Sequence, residues 1–182
     1  MTAKTDIRKK IRDLKTIMTE VDRLTAADSV FEKLEQTAAF ILAENILMYH
    51  SLPDELETLR FLRKWSGKKK FFLPRVAGVN LELLPYDETS LSEGYSHIQE
   101  PTGDDVFPVD DIEVIVVPGI AFDRKGRRLG RGKGFYDRLL ADSNATKIGI
   151  GYEFQLIDEV PAESHDIPMD IIITEKATIF IK

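Results

Sequence analysis

Apolar residues open the chain at alternating steps of three and four, at Ile7, Ile11, Leu14, Met18 and Val21. That period predicts an amphipathic helix from about Thr5 to Leu24. Thr25, followed by Ala26, Ala27 and Asp28, reads as the cap of a second helix running to about Leu42, with Phe31, Leu34, Ala38 and Ile41 on its buried face. The pattern then shortens to that of a strand, Ile46 to Tyr49. A polar loop, His50 to Thr58, opens a helix carrying Leu56, Leu59, Leu62 and Trp65, and Gly67 with the lysines at 68, 69 and 70 closes it.

Phe71 to Arg75 reads as a strand ending in a polar turn, and Leu81 to Leu84 as an edge strand. From Tyr86 to Val109 no period holds, and Gly94, Pro101, Gly103 and Pro108 punctuate the stretch. A segment of that length without periodicity often covers a site. Val114 to Val117 is a β-branched run of the kind buried on both faces of a sheet. A glycine-rich segment and a helix from Phe135 to about Ala141 follow, then strands at Lys147–Gly151, Asp170–Thr174 and Thr178–Ile181. Strands alternating with helices predict a layered α/β domain with a largely parallel sheet.

Length and charge narrow the function. A chain of 182 residues supports one full core rather than two, so residues 1–182 are expected to form one domain. A net charge of −6 argues against a general nucleic-acid surface. The absence of cysteine excludes disulfides, thiolate nucleophiles and cysteine-containing zinc sites. The charged start of the chain has no apolar h-region behind it, and no apolar run approaches the ~18 residues of a membrane span, so a cytoplasmic location is expected.

Against that acidic background, Asp123 to Asp137 stands out. It holds six of the 25 basic residues and four of the 11 glycines, directly after the Val114–Val117 strand and Pro118-Gly119. In Gly130-Arg131-Gly132-Lys133-Gly134 the glycines let backbone amides approach a ligand while Arg131 and Lys133 supply charge, an arrangement suited to phosphate. A Walker A loop is excluded, because Gly134 follows Lys133 where Ser or Thr is required and Arg127 stands at the first glycine position. G-x-G-x-x-G fails in either register. A solvated basic hairpin would use the same glycines for turns, but six cations after a buried strand favour phosphate.

His50, His97 and His165 are far apart, and no G-x-S-x-G elbow is present, so neither a helical metal pair nor serine-hydrolase chemistry has support. Glu55 lies at a strand-to-helix turn, where a carboxylate serves the helix dipole or a ligand at the carboxyl ends of the strands. Lys4 and Arg8 lie one turn apart on a helix flank. Asp137 and Asp170 would suffice for nucleotide-bound magnesium if they meet, and read otherwise as a helix-start and a turn residue.

The stretch Pro118-Gly-Ile-Ala-Phe-Asp123, Gly126, and Arg128-Leu-Gly-Arg-Gly-Lys-Gly-Phe-Tyr-Asp-Arg138 resembles the signature of the 5-formyltetrahydrofolate cyclo-ligases, or methenyltetrahydrofolate synthetases. The resemblance extends to Lys4-x-x-x-Arg8, Tyr49 to Thr58, Leu73-Pro-Arg75, Glu100-Pro101 and Asp166 to Asp170. It implies a single three-layer α/β/α domain, and an ATP-dependent ring closure through phosphorylation of the formyl oxygen. It implies that Lys4 and Arg8 help hold ATP and that Arg128, Leu129, Gly130, Arg131, Gly132, Lys133, Gly134, Phe135 and Tyr136 wrap its phosphates. Lys133, Arg131 and Tyr136 are the expected catalytic groups. Glu55, Tyr49, Arg131 and Tyr136 are expected to face the folate, and Asp137 and Asp170 to hold Mg2+. Phe135 stands where the family commonly has tyrosine. A monomer acting on small molecules, with no nucleic-acid or membrane partner, is expected. A relative acting on another formylated or amide substrate and a non-catalytic regulator that binds nucleotide or RNA through the basic loop are the alternatives.

Overall fold

The computed structural model describes residues 3–182; Met1 and Thr2, the start of the charged N-terminal stretch, lie outside it. Helix α1 (Ala3–Thr16) ends earlier than the apolar period implies. A second helix, α2 (Glu20–Glu35), begins at Thr19, whose hydroxyl accepts from Asp22 N–H while the Asp22 side chain accepts from Thr19 N–H. Two Thr-x-x-Asp sequences fall within this helical region, Thr19 to Asp22 and Thr25 to Asp28, and the first of them is the cap. Thr25 therefore sits inside α2, and Val21, expected on the buried stripe, is 73% exposed. A new cap at Thr37 starts the short α3 (Ala38–Leu42) and shifts its phase, so that Phe40 is buried while Ala38 and Ile41 are exposed.

Strand β1 (Asn45–Leu47) leads into the His50–Thr58 loop and α4 (Leu59–Trp65). Hairpin β2 (Lys70–Ala77) and β3 (Asn80–Pro85) continues well past the polar turn expected at Arg75. Pro74 is tolerated there because its missing N–H faces the side where β1 has already ended. The aperiodic stretch holds a small hairpin, β4 (Leu91–Glu93) and β5 (Gln99–Pro101). Next come β6 (Val114–Pro118), a second hairpin of β7 (Ala121–Phe122) and β8 (Arg128–Leu129), helix α5 (Phe135–Ala141), and strands β9 (Thr146–Ile150), β10 (Ile171–Ile173) and β11 (Thr178–Phe180).

The central sheet has seven strands in the order β11-β10-β9-β6-β1-β2-β3. The five inner strands are parallel, and the edge strands β3 and β11 run antiparallel. Alternate residues face opposite layers. Ile46, Met48, Val114 and Val116 pack beneath α2 to α4, whereas Leu47, Ile115 and Val117 pack against α5 and the Phe107–Ile112 segment. Val114 to Val117 is fully buried, as its β-branched run predicts. The strand order reverses direction between β1 and β6, and in open α/β sheets the carboxyl ends of the strands at such a point form the ligand crevice.

Candidate active site

A cavity of about 630 Å³ opens at that crevice. Tyr49 and His50 reach it beyond β1, and Pro118 and Gly119 reach it from the end of β6. Its size suits a small-molecule site. The residues from Arg128 to Asp137 form one wall, the His50–Glu55 loop another, and the β4–β5 hairpin a third.

The basic wall is held from beneath by Asp123, which is fully buried. Its Oδ1 accepts from the amides of Lys125 and Arg127, and its Oδ2 from Arg127 Nε at 2.6 Å and Val160 N at 2.9 Å. This closes the β7–β8 turn, out of which the glycine loop emerges. Arg128, whose side chain is 6% exposed, donates to Pro118 O and lies 3.3 Å from Asp137 Oδ1. Its Nε is buried with no partner among the described residues. Arg8 donates across from α1 to Gly130 O at 3.1 Å. Gly134 takes a left-handed conformation (φ 69°) immediately before α5, and Arg138 secures the loop by donating to Lys133 O. Lys133 itself is exposed, and its ammonium has no partner among the described residues.

The facing loop is pinned by groups distant in sequence. Ser51 and Thr58 exchange backbone-to-hydroxyl bonds across its neck. Arg23 donates to Pro53 O, Tyr152 Oη to Glu55 O, and Lys15 to Asp54 at 3.3 Å. Glu55 lies in this loop rather than in the first turn of α4; its Oε2 accepts from Leu52 N, so the helix-dipole role is excluded. Arg131 spans the cavity mouth, 3.0 Å from both Asp54 Oδ1 and Glu55 Oε1. Burial works to raise the Asp54 pKa, but Lys15 and Arg131 outweigh it and hold the carboxyl below its ordinary value. Lys15 is 3% exposed, and its burial lowers its pKa despite Asp54. Burial pushes the phenols of Tyr136 and Tyr49 up, with Glu55 adding to the effect, so both remain protonated donors at neutral pH.

The cavity thus gathers Lys4, Arg8, Tyr49, Glu55 and the whole run from Arg128 to Asp137. Lys4 is paired with Glu163 at 2.8 Å and with Asp166 at 3.8 Å, which carries the C-terminal loop onto the cavity rim. Phe135 packs edge-to-face on Tyr95, 5.6 Å between centroids, so this position contributes a ring and no hydroxyl. Asp170 requires a correction. It lies at the start of β10, at the opposite end of the parallel strands from the cavity, and its carboxylate accepts from Lys147 N and Nζ. The expected Asp137–Asp170 metal pair is therefore not assembled, and among the described residues no three potential ligands gather as a metal cluster. The sequence reading missed Lys15, Asp54, Tyr152 and the full role of Asp123. Of these, Asp54 carried a local signal in its place beside Glu55, and Asp123 in its place at the end of the Pro118–Asp123 stretch.

The chain matches the 5-formyltetrahydrofolate cyclo-ligase family over residues 1–175. It is 29% identical over 178 residues to a 5-formyltetrahydrofolate cyclo-ligase of Haemophilus influenzae, covering 92% of this chain and 95% of that one. It is 33% identical over 144 residues to the Escherichia coli K12 cyclo-ligase, covering 74% and 79% of the two chains. The fold is similar to that of an Aquifex aeolicus 5,10-methenyltetrahydrofolate synthetase, with a TM-score of 0.91, 30% identity, and coverage of 100% of this chain and 94% of that one. A Mycoplasma pneumoniae synthetase, 22% identical, shares the fold with a TM-score of 0.78 and coverage of 96% and 99%. With the match running through the glycine loop, the cavity walls and nearly the whole sheet, the chain belongs to the 5-formyltetrahydrofolate cyclo-ligase family.

Proposed function

We infer that the protein closes 5-formyltetrahydrofolate to 5,10-methenyltetrahydrofolate at the expense of ATP. The observation that carries this is one cavity joining a cationic glycine loop, with Tyr136 at its end, to a facing side that bears Tyr49 and Glu55. The formyl oxygen attacks the γ-phosphorus, forming the new P–O bond as the bond to ADP breaks. The N10 lone pair then adds to the activated carbon, N10 loses its proton, and the C–O bond breaks to release phosphate. No protein nucleophile is needed. The protein's work is to position two ligands and to neutralise moving negative charge.

Arg128, Arg131 and Lys133 supply that charge, and Tyr136 supplies a protonated hydroxyl. Arg8 stiffens the loop through Gly130 O. A magnesium ion uses one or two carboxylates with phosphate oxygens, and the Asp137 side chain, 22% exposed on the phosphate wall, offers one of them. Bound there, the ion would offset phosphate charge during transfer. Asp137→Asn is expected to raise the magnesium concentration giving half-maximal rate, and an unchanged titration would remove Asp137 from this role. Glu55→Gln is expected to raise KM for the folate more than KM for ATP. An equal rise in both would mean that Glu55 serves only to hold Arg131.

Among the described residues no helix is long and apolar enough to cross a membrane, and a monomer acting in the cytoplasm fits this reading. The purified protein, incubated with magnesium, ATP and 5-formyltetrahydrofolate, should generate the near-ultraviolet absorbance of the methenyl product. Its absence would overturn the assignment.

A further inference from the structure

The other carboxylates on the cavity wall are matched by cations: Glu55 by Arg131, Asp137 by Arg128, and Glu163 and Asp166 by Lys4. Glu100 is not. It lies in β5, is 8% exposed, lines the cavity, and forms no ion pair among the described residues. Its Oε1 accepts from Val76 N at 3.1 Å, on the side of β2 left free where β1 ends. Its Oε2 accepts no hydrogen bond among the described residues and, unlike Tyr86 Oη, is not among the sealed, unpartnered atoms of the protein.

The fold makes room for this side chain. A Cβ at Gly94 would lie 2.0 Å from Glu100 Oε2, so the carboxylate passes across bare backbone in its own hairpin. Pro74, Val76, Leu81 and Ile98 give the same cavity an apolar lining, with the Tyr95 and Phe135 rings edge-to-face and Ser96 and Gln99 as its polar neighbours in the hairpin. A buried carboxylate half-satisfied by one amide costs free energy unless a ligand brings N–H donors to it. An apolar slot with aromatic rings and one such acceptor suits a flat heterocycle presenting adjacent N–H groups.

On the cyclo-ligase reading, the substrate carries such a ring: the 2-amino-4-oxo pterin, whose N3–H and 2-amino group lie side by side. Adenine instead places an acceptor next to its amino group, which a carboxylate repels. We propose that Glu100 binds the N3–H and 2-amino edge of the pterin and so selects the folate ring at this apolar end of the cavity. Glu100 makes a specificity contact and takes no part in the bond changes.

The test compares 5-formyltetrahydrofolate with its 2-desamino-2-methyl analogue in wild type and in Glu100→Gln, following methenyl formation and thermal unfolding. Glutamine keeps an oxygen for Val76 N–H but removes the charge facing the pterin. The expected result is a wild-type preference for the 2-amino compound of about tenfold or more in kcat/KM. In Glu100→Gln the folate KM should rise by about tenfold or more and that preference should collapse, while KM for ATP stays within about twofold. A wild type that forms product yet treats the two compounds alike overturns the assignment of Glu100 alone, whether or not the variant folds. A folded variant with wild-type folate KM, or one that loses ATP instead, overturns it too. A wild type that forms no product from either overturns this inference together with the proposed function.

Discussion

Lys133→Ala is expected to lower kcat by about a hundredfold or more, the scale of losing one preorganised electrostatic partner of a charged transition state. The side chain stands between Gly132 and Gly134 on the cavity wall, exposed and unpaired among the described residues, whereas Arg128 and Arg131 are engaged with carboxylates. Ordering a long side chain on so permissive a backbone costs entropy, which is offset only when the ammonium meets phosphate or charge that develops during transfer. KM for the folate should change little, because that ligand's ground-state contacts are left intact. Lys125 is the internal control. It is exposed at the β7–β8 turn and does not line the cavity, so Lys125→Ala should retain wild-type rates. Equal kcat values in the two variants would mean that the loop neutralises phosphate through its arginines and backbone alone.

Much of the sheet is legible in the sequence because its signals are local. Val114 to Val117, Ile46 to Met48 and Ile171 to Ile173 are short apolar runs that fit strands buried on both faces, and all are buried. Helix boundaries were less legible where two sequences competed. Thr19-x-x-Asp22 and Thr25-x-x-Asp28 carry the same capping pattern, and the apolar period runs through both, so nothing local marks the break after Thr16. Ile41 is turned out to solvent by the Thr37 cap, a change of phase that an apolar count does not register.

The site divides in the same way. The glycine loop is one contiguous segment whose chemistry is written in its own residues. The opposite wall is not. Lys15, Arg23, Tyr152 and Arg131 converge on Pro53, Asp54 and Glu55 from four separate parts of the chain, and no spacing rule brings them together. Asp170 shows the converse error. It neighbours the cavity-lining Asp166 in sequence, yet the intervening residues carry the chain to the far end of the sheet.

Asp123→Ala is expected to have the largest effect on stability. The carboxylate is fully buried and accepts from three backbone amides and the Arg127 guanidinium. Its removal leaves Val160 N–H, which lies in a fully buried residue, and the amides of the β7–β8 turn without acceptors, each a loss of roughly 1–3 kcal/mol. A total of about 3 kcal/mol or more follows, in line with the cost of deleting one partner from a buried charged cluster. For a chain of this size that lowers Tm by roughly 6–12 °C. The hairpin it closes carries Arg128 and leads into the glycine loop, so KM for ATP should rise even at temperatures where the central sheet stays folded. Asp123→Asn retains one oxygen for the Lys125 and Arg127 amides and turns an N–H2 toward Val160 N–H, so it should fall between alanine and wild type in Tm. An alanine variant unfolding within about 2 °C of wild type would show that water replaces the carboxylate at little cost, and Asp123 would then have no part in supporting the loop.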